Sequence, residues 1–184
     1  MAREHRISQN FLRSPRIALM LVGHSNIRKR DFTLDIGAGS GVFTYALSKK
    51  SAQVLAIEFD RETFKKLQNN TKNLKNVEVL CADFLRFNLS KLPKNYKVAA
   101  NVPYYITSKI VEKLLNPKEI VIGIEEENEE LFEKFSETAK RKNMTNIKTQ
   151  ILPSAYPQGS ELQLIKAVTG KEIRKGTLPI DAGV

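Results

Sequence analysis

Asp35-Ile-Gly-Ala-Gly-Ser-Gly41 is the stretch on which the reading of this chain turns. Phe32-Thr-Leu-Asp-Ile36, which leads into it, is a short apolar run stopped by glycine, the pattern of a buried strand; Val42 to Lys50, which leaves it, reads as helix. Three glycines at alternate positions between a strand and a helix allow a tight turn. They also let a ligand approach the amide groups at the helix start. A glycine turn alone specifies little. Here an acid, Glu58, ends the next apolar run, Ala52-Gln-Val-Leu-Ala-Ile57, where a carboxylate can hold both ribose hydroxyls of a nucleoside. A third acid, Asp83, closes Val77-Glu-Val-Leu-Cys81, so three strand ends line one crevice. Dinucleotide sites use G-x-G-x-x-G to seat a pyrophosphate. The spacing here is G-x-G-x-G, and Asp35 in front of it repels phosphate but suits a cationic amino or sulfonium group. S-adenosylmethionine is therefore expected rather than NAD.

Working outward, Ser14 caps a helix over residues 14–24, with Pro15 in its first turn and Gly23 near its stop. Helices are also expected from Arg61 to Asn70, Ser108 to Leu115 and Asn128 to Lys142, with a short one from Leu162 to Val168. Further strands are expected at Lys97–Ala100, Glu119–Ile124 and Ile147–Leu152. This alternation predicts an α/β, Rossmann-like fold: a mostly parallel sheet with helices on both faces and right-handed crossovers. The run Glu125-Glu-Glu-Asn-Glu-Glu130 reads as a solvated helix start favoured by the helix dipole, not as a metal site.

Composition narrows the functional classes. The chain has 184 residues, 41% of them apolar, which is enough for a real core. No apolar run approaches the ~20 residues of a membrane span, and the opening Met-Ala-Arg-Glu-His-Arg leads into a polar stretch rather than the apolar core expected of a signal peptide. A single cysteine, Cys81, and two histidines leave neither a disulfide nor a metal cluster to assemble. A cytoplasmic, metal-free, monomeric protein is the expectation. Charge is uneven: residues 1–118 carry 21 Lys+Arg against 9 Asp+Glu, residues 119–184 carry 9 against 11. The basic first part fits a polyanionic partner.

Asn101-Val-Pro-Tyr104 at the end of the fourth strand is the second chemical signal. The Asn101 side-chain oxygen and the Val102 carbonyl could accept the two N–H bonds of an adenine 6-amino group, turning the nitrogen lone pair toward a methyl carbon. Tyr104 would stack on the base, as base-modifying enzymes require. Catalysis would then be mostly positioning of two reactants in line, with no general base.

Residues 5–116 resemble the catalytic domain of the ribosomal RNA adenine-N6 methyltransferases, the family of the erythromycin-resistance methylases and the small-subunit adenine dimethylases. The resemblance rests on Ser8-Gln-Asn-Phe-Leu12, the glycine turn, Ala56-Ile-Glu-Phe-Asp60, Cys81-Ala-Asp-Phe84 and Asn101-Val-Pro-Tyr-Tyr-Ile106, in family order and spacing. Ala38 departs from the family's frequent proline. The resemblance implies that Asn10, Leu12, Gly37, Gly39, Glu58, Asp83 and Asn101 contact S-adenosylmethionine, and that Asn101 with Tyr104 holds the target adenine. It implies ribosomal RNA or a pre-ribosomal particle as partner. Arg3, Arg6, Arg13, Arg16 and the triplet Arg28, Lys29, Arg30 would supply its phosphate contacts.

Residues 119–184 depart from that pattern. The family continues into a small helical RNA-binding domain, for which no room is expected here. Ile122-Gly-Ile-Glu125, Leu152-Pro-Ser-Ala-Tyr-Pro-Gln-Gly159, Gln163-Leu-Ile-Lys166, Thr169-Gly170 and Leu178-Pro-Ile-Asp-Ala-Gly-Val184 resemble instead an internal piece of the C subunit of the Rnf-type electron-transport complex. Ser160 stands there in place of glycine. The alternative is that Leu152-Pro-Ser-Ala-Tyr-Pro157 imitates the methylase's own aromatic-proline loop. The expected organisation is a truncated methyltransferase domain, 1–118, followed by an α/β segment, 119–184, packed on the same sheet. The expected activity is methyl transfer to adenine N6 in ribosomal RNA. Alternatives are a cofactor-binding but catalytically silent module and a flavin electron-transport fragment, which lacks its flavin loop and cluster cysteines here.

Overall fold

The computed structural model describes residues 14–102, 104–114, 117–125, 129–152 and 162–169. In chain order these form α1 (Pro15–Gly23), β1 (Phe32–Ile36), α2 (Val42–Lys50), β2 (Gln53–Glu58), α3 (Arg61–Thr71) and β3 (Val77–Cys81). They continue through β4 (Lys97–Asn101), α4 (Tyr104–Lys113), β5 (Glu119–Glu125), α5 (Glu129–Arg141), β6 (Met144–Leu152) and β7 (Leu162–Thr169). Two 3-10 turns, Phe84–Arg86 and Leu89–Lys91, lie between β3 and β4.

One seven-stranded sheet runs in the order β3-β2-β1-β4-β5-β7-β6. The first five strands are parallel, and β7 is antiparallel to both β5 and β6. Alternate side chains of each strand go to opposite faces. Leu34, Ile36, Leu55, Ile57, Val98 and Ile120 are buried with Ile110 and Val111 of α4 and Phe135 of α5. Val54, Ala99 and Val121 join Ala18 and Leu21 of α1 and Phe43 and Leu47 of α2. Both faces are covered, which is why the strands read as continuous apolar runs. Among the described residues no helix is long and apolar enough to cross a membrane.

Two expectations are corrected. Leu162–Thr169 is a strand, not a short helix. Its position between β5 and β6 supplies ladder partners on both sides, and without it β5 would be an unpaired edge. Ala167 enters the core while Lys166 lies on the other face, an alternation a helix would break. Helix α4 starts at Tyr104, four residues before the expected Ser108, so the Asn-Val-Pro-Tyr segment leads directly into it. The remaining strand and helix boundaries agree within a few residues, the largest shift being β6, which opens at Met144 rather than Ile147.

A buried charge network fastens the strand starts. Lys97 Nζ lies 2.7 Å from Asp31 Oδ2 and 3.6 Å from Glu119 Oε2, and Lys166 Nζ lies 3.1 Å from Glu119 Oε1. Asn26 N–H donates to Glu119 at 2.9 Å, Lys97 donates to the Asn26 carbonyl, and Lys166 donates to the His24 carbonyl at 3.2 Å. Residues of β4, β5 and β7 thus hold the loop that joins α1 to β1. Removing one partner leaves buried cations uncompensated, so Glu119→Ala is expected to lower stability by ~3–5 kcal/mol in urea unfolding. A loss under ~1 kcal/mol would show that water replaces the carboxylate freely.

Candidate active site

The carboxyl ends of the parallel strands are flush: Ile36 pairs with Ile57 and Ala100, Glu58 with Cys81, and Asn101 with Gly123. The connections leaving these strands therefore collect at one edge. The glycine turn leaves β1 with Gly37, Gly39 and Gly41 all at positive φ. At Gly41 (φ 95°) a Cβ would meet Leu67 Cδ1 at 2.9 Å; at Gly37 (φ 68°) it would meet Val102 Cγ1 at 3.0 Å. Both positions need glycine for conformation, and a side chain there would also have to displace a neighbouring methyl. The Gly37 and Ala38 N–H groups donate to the Ile57 carbonyl at 2.9 and 3.1 Å, laying the turn across the end of β2. Asn70 of α3 donates its side-chain amide to the Ser40 carbonyl at 2.8 Å.

Glu58 is the hub of this edge. Its Oε2 accepts the Gly39 N–H at 2.8 Å and its Oε1 the Asp60 N–H at 2.9 Å, with the residue 8% exposed. A carboxylate has about four acceptor positions, so both oxygens keep capacity toward the crevice. Asp60 in turn caps α3 by accepting the Thr63 N–H at 2.8 Å, which, with the Thr63 side chain, holds its carboxyl below the usual carboxylate range. On the next strand, Ala82 N–H donates to the Glu58 carbonyl at 3.0 Å, and Asp83 accepts the Leu85 N–H at 2.9 Å, with Arg86 Nε 3.6 Å away.

Beneath the turn sits Asp35, 1% exposed. Its Oδ2 accepts the Thr44 hydroxyl at 2.7 Å, while Oδ1 has no hydrogen-bond partner. Burial pushes its carboxyl up to about 7, against the lowering effect of Thr44 and with a smaller rise from the charge of Glu58.

These contacts tie Ala82, next to Asp83, to Glu58 and Glu58 to Gly39 of the turn, whose Gly37 lies close to Val102, beside half-buried Asn101. Tyr104 is placed at the start of α4. Asn10, Leu12, Arg3, Arg6 and Arg13 lie outside the described residues. Arg16 is exposed on α1, and Arg28, Lys29 and Arg30 are exposed before β1, at the opposite end of the strands. Sequence reading missed Thr44, Asp60 and Asn70. An Asp three residues before a threonine at a helix start could have shown Asp60; nothing local signals the other two. Among the described residues no group of three or more acids, histidines or cysteines could hold a metal ion.

Sheet order, glycine turn and acid-lined edge together define a methyltransferase fold, and the solved structures it resembles agree. The 23S rRNA methyltransferase ErmE superposes with a TM-score of 0.68 at 18% identity, covering 89% of this chain and 71% of that one. A dimethyladenosine transferase from Plasmodium falciparum gives 0.66 at 19%, covering 86% and 63%. Within this fold the chain belongs to the ribosomal RNA adenine dimethylase family, whose sequence profile matches residues 2–150. The match runs past the junction near residues 116–119 into the segment likened to an electron-transport subunit. Ribosomal RNA small subunit methyltransferase A of Mycoplasmopsis synoviae is 36% identical over 125 residues, 66% of this chain and 48% of the relative. The same-named protein of Caldanaerobacter subterraneus is 33% identical over 116 residues (60% and 43%), and an rRNA adenine N-6-methyltransferase of Escherichia coli 30% over 119 (62% and 46%). The chain thus spans about half the length of the curated relatives it matches.

The elevated Asp35 carboxyl makes a pH prediction. Between the unfolded value of 3.8 and the folded value of about 7 the native state holds a proton that the unfolded chain releases, so stability falls as pH rises through this window. The stability of the parent minus that of Asp35→Asn is expected to drop by as much as ~4 kcal/mol between pH 4 and 7 and to stay level above. A difference that does not vary with pH, in denaturant titrations of both proteins, would contradict the assignment.

Proposed function

We propose that the chain transfers a methyl group from S-adenosylmethionine to the N6 amino group of an adenine in ribosomal RNA. The observation that carries this reading is the contact chain along one sheet edge. It joins the glycine turn and its acids to Val102, next to Asn101.

The residues present fit the methyl donor. Gly37, at positive φ, keeps the turn tight against Val102 with no side chain of its own. Glu58 keeps acceptor capacity for ribose hydroxyls, as Asp83 does at the end of β3. The partnerless, buried Asp35 Oδ1 lies beneath the turn, and a cationic part of the ligand would favour loss of the proton that burial holds on this carboxyl. When bound, S-adenosylmethionine supplies an electrophilic methyl carbon on a cationic sulfur. Asn101 and the Val102 carbonyl hold the adenine amino group by accepting its two N–H bonds. That directs the nitrogen lone pair out of the ring plane, and the proton leaves once the nitrogen carries the extra methyl. Tyr104 stacks on the base. Asn10 and Leu12 complete the donor site, while Arg3, Arg6, Arg13, Arg16 and the triplet 28–30 contact phosphates. Catalysis consists of orientation and proximity.

Residues 1–118 carry these sites, and 119–184 serve them by completing the sheet. Glu119 and Lys166, which bind the loop after α1, support that division of labour. The names of the relatives support adenine and ribosomal RNA as substrate.

Substitutions separate the two halves of the site. Glu58→Ala is expected to weaken S-adenosylmethionine binding by ~1–3 kcal/mol in calorimetric titration, since ribose hydroxyls and the Gly39 N–H lose their acceptor. Undiminished affinity would remove Glu58 from the site. Asn101→Ala is expected to lower kcat much more than RNA affinity, because its hydrogen bond strengthens as the nitrogen becomes tetrahedral. Tyr104→Phe is expected to be nearly silent, and Tyr104→Ala to lose ~1–3 kcal/mol of base capture. If Asn101→Ala raised KM alone, its role would be binding rather than orientation of the amino group.

A further inference from the structure

The end of the sheet away from the crevice carries the opposite charge. Strands β1, β2 and β3 are parallel neighbours whose starts are in register, Phe32 with Gln53 and Val54 with Val77, so the connections entering them meet at one edge. Ala52 N–H donates to the Asp31 carbonyl and Val54 N–H to the Asn76 carbonyl, both at 2.9 Å. The Asn76 side chain donates to the Ser48 and Ser51 carbonyls at 2.9 and 3.2 Å, drawing the loop after α3 against the end of α2.

The triplet Arg28, Lys29, Arg30 on the first connection, Lys49 on the second, and Lys72 with Lys75 on the third are all exposed. Of the acids close by in the chain, Asp31 is buried and occupied by Lys97, which leaves Glu78 exposed near the start of β3. Three neighbouring strands span about 10 Å, and the Debye length in physiological salt is about 8 Å. These cations therefore act together on one ligand.

At the crevice edge Glu58, Asp60 and Asp83 are offset in part by Arg86 beside Asp83 and by exposed Arg61, Lys65 and Lys66 on the crevice half of α3. The two edges are separated by strands of five or six residues, roughly 17–20 Å. A polyanion meets mixed charge at the crevice edge and nearly unopposed positive charge at the far edge. Tyr45, exposed on the same helix as Lys49, carries that ammonium over one face of its ring at 4.6 Å.

We propose that this edge docks the phosphate backbone of duplex RNA, gripping a helix of the folded RNA other than the segment whose unpaired adenine enters at Asn101. The inference rests on the RNA reading above and adds a second contact surface to it. Duplex is favoured over single strand because the cations sit on three adjacent connections about 10 Å across, a spread that suits phosphates of a helix backbone rather than base edges.

Fluorescence anisotropy with a blunt RNA duplex of about 20 base pairs, free of unpaired bases, tests it across salt concentrations. The triple variant Lys49→Ala, Lys72→Ala, Lys75→Ala is expected to bind about tenfold or more weakly near 100 mM salt, with a log–log salt slope shallower by about 2–3. The triple Arg61→Ala, Lys65→Ala, Lys66→Ala, on the crevice half of α3, is expected to keep the parental slope within about 1. Calorimetric binding of S-adenosylmethionine, equal in parent and edge variant, shows that the variant is folded. Should the parent fail to bind S-adenosylmethionine while the edge variant alone loses duplex, the methylase reading falls and the docking edge stands. Unchanged duplex affinity in the edge variant, equal losses in both triples, or parental binding to phosphatidylserine vesicles as tight as to duplex would overturn the proposal.

Discussion

The carboxylate of Glu58 is the interaction on which the site depends. It stands where β2 ends and accepts one N–H from the glycine turn after β1 and another from the start of α3. Two charge-assisted hydrogen bonds to the backbone fix the relation between two strand ends. The other contacts build outward from there: the turn can lie across β2, Gly37 can reach Val102, and Asn101 at the end of β4 stands beside the same crevice. An aspartate is one methylene shorter and would have to choose between the two donors.

The sheet is electrostatically polar along its strands. Four acids occupy its carboxyl end, and one of them, Asp35, is buried with an oxygen that no group satisfies. Buried polar atoms are normally paired; at Asp35 burial raises the carboxyl to about 7, so the site keeps a proton there instead. At the other end Lys97, Asp31, Glu119 and Lys166 satisfy one another internally, and the remaining cations face solvent. The same strands thus separate an acid-lined crevice from an edge of exposed cations.

Most of the first five strands and their helices were legible because apolar runs and glycine stops are local signals. So were the three carboxylates, since each ends an apolar run. The last strand was not: Leu162-Gln-Leu-Ile-Lys-Ala-Val-Thr169 satisfies a helical period as well as a strand's, and its place between β5 and β6 decides. The partners of the site were also hidden. Thr44 meets Asp35 and Asn70 meets Ser40 only after the helices pack, and Lys97 meets Glu119 only once their strands pair. Pairing between residues far apart in the chain leaves no pattern in a single sequence.

The central claim is that the crevice delivers a methyl group to the exocyclic nitrogen of adenine. It is tested most directly by incubating the protein with methyl-labelled S-adenosylmethionine and protein-free ribosomal RNA, then digesting the RNA to nucleosides. The account predicts that the label co-elutes with N6-methyladenosine or N6,N6-dimethyladenosine. Label in any other nucleoside, or none from a protein that binds the donor, would contradict it.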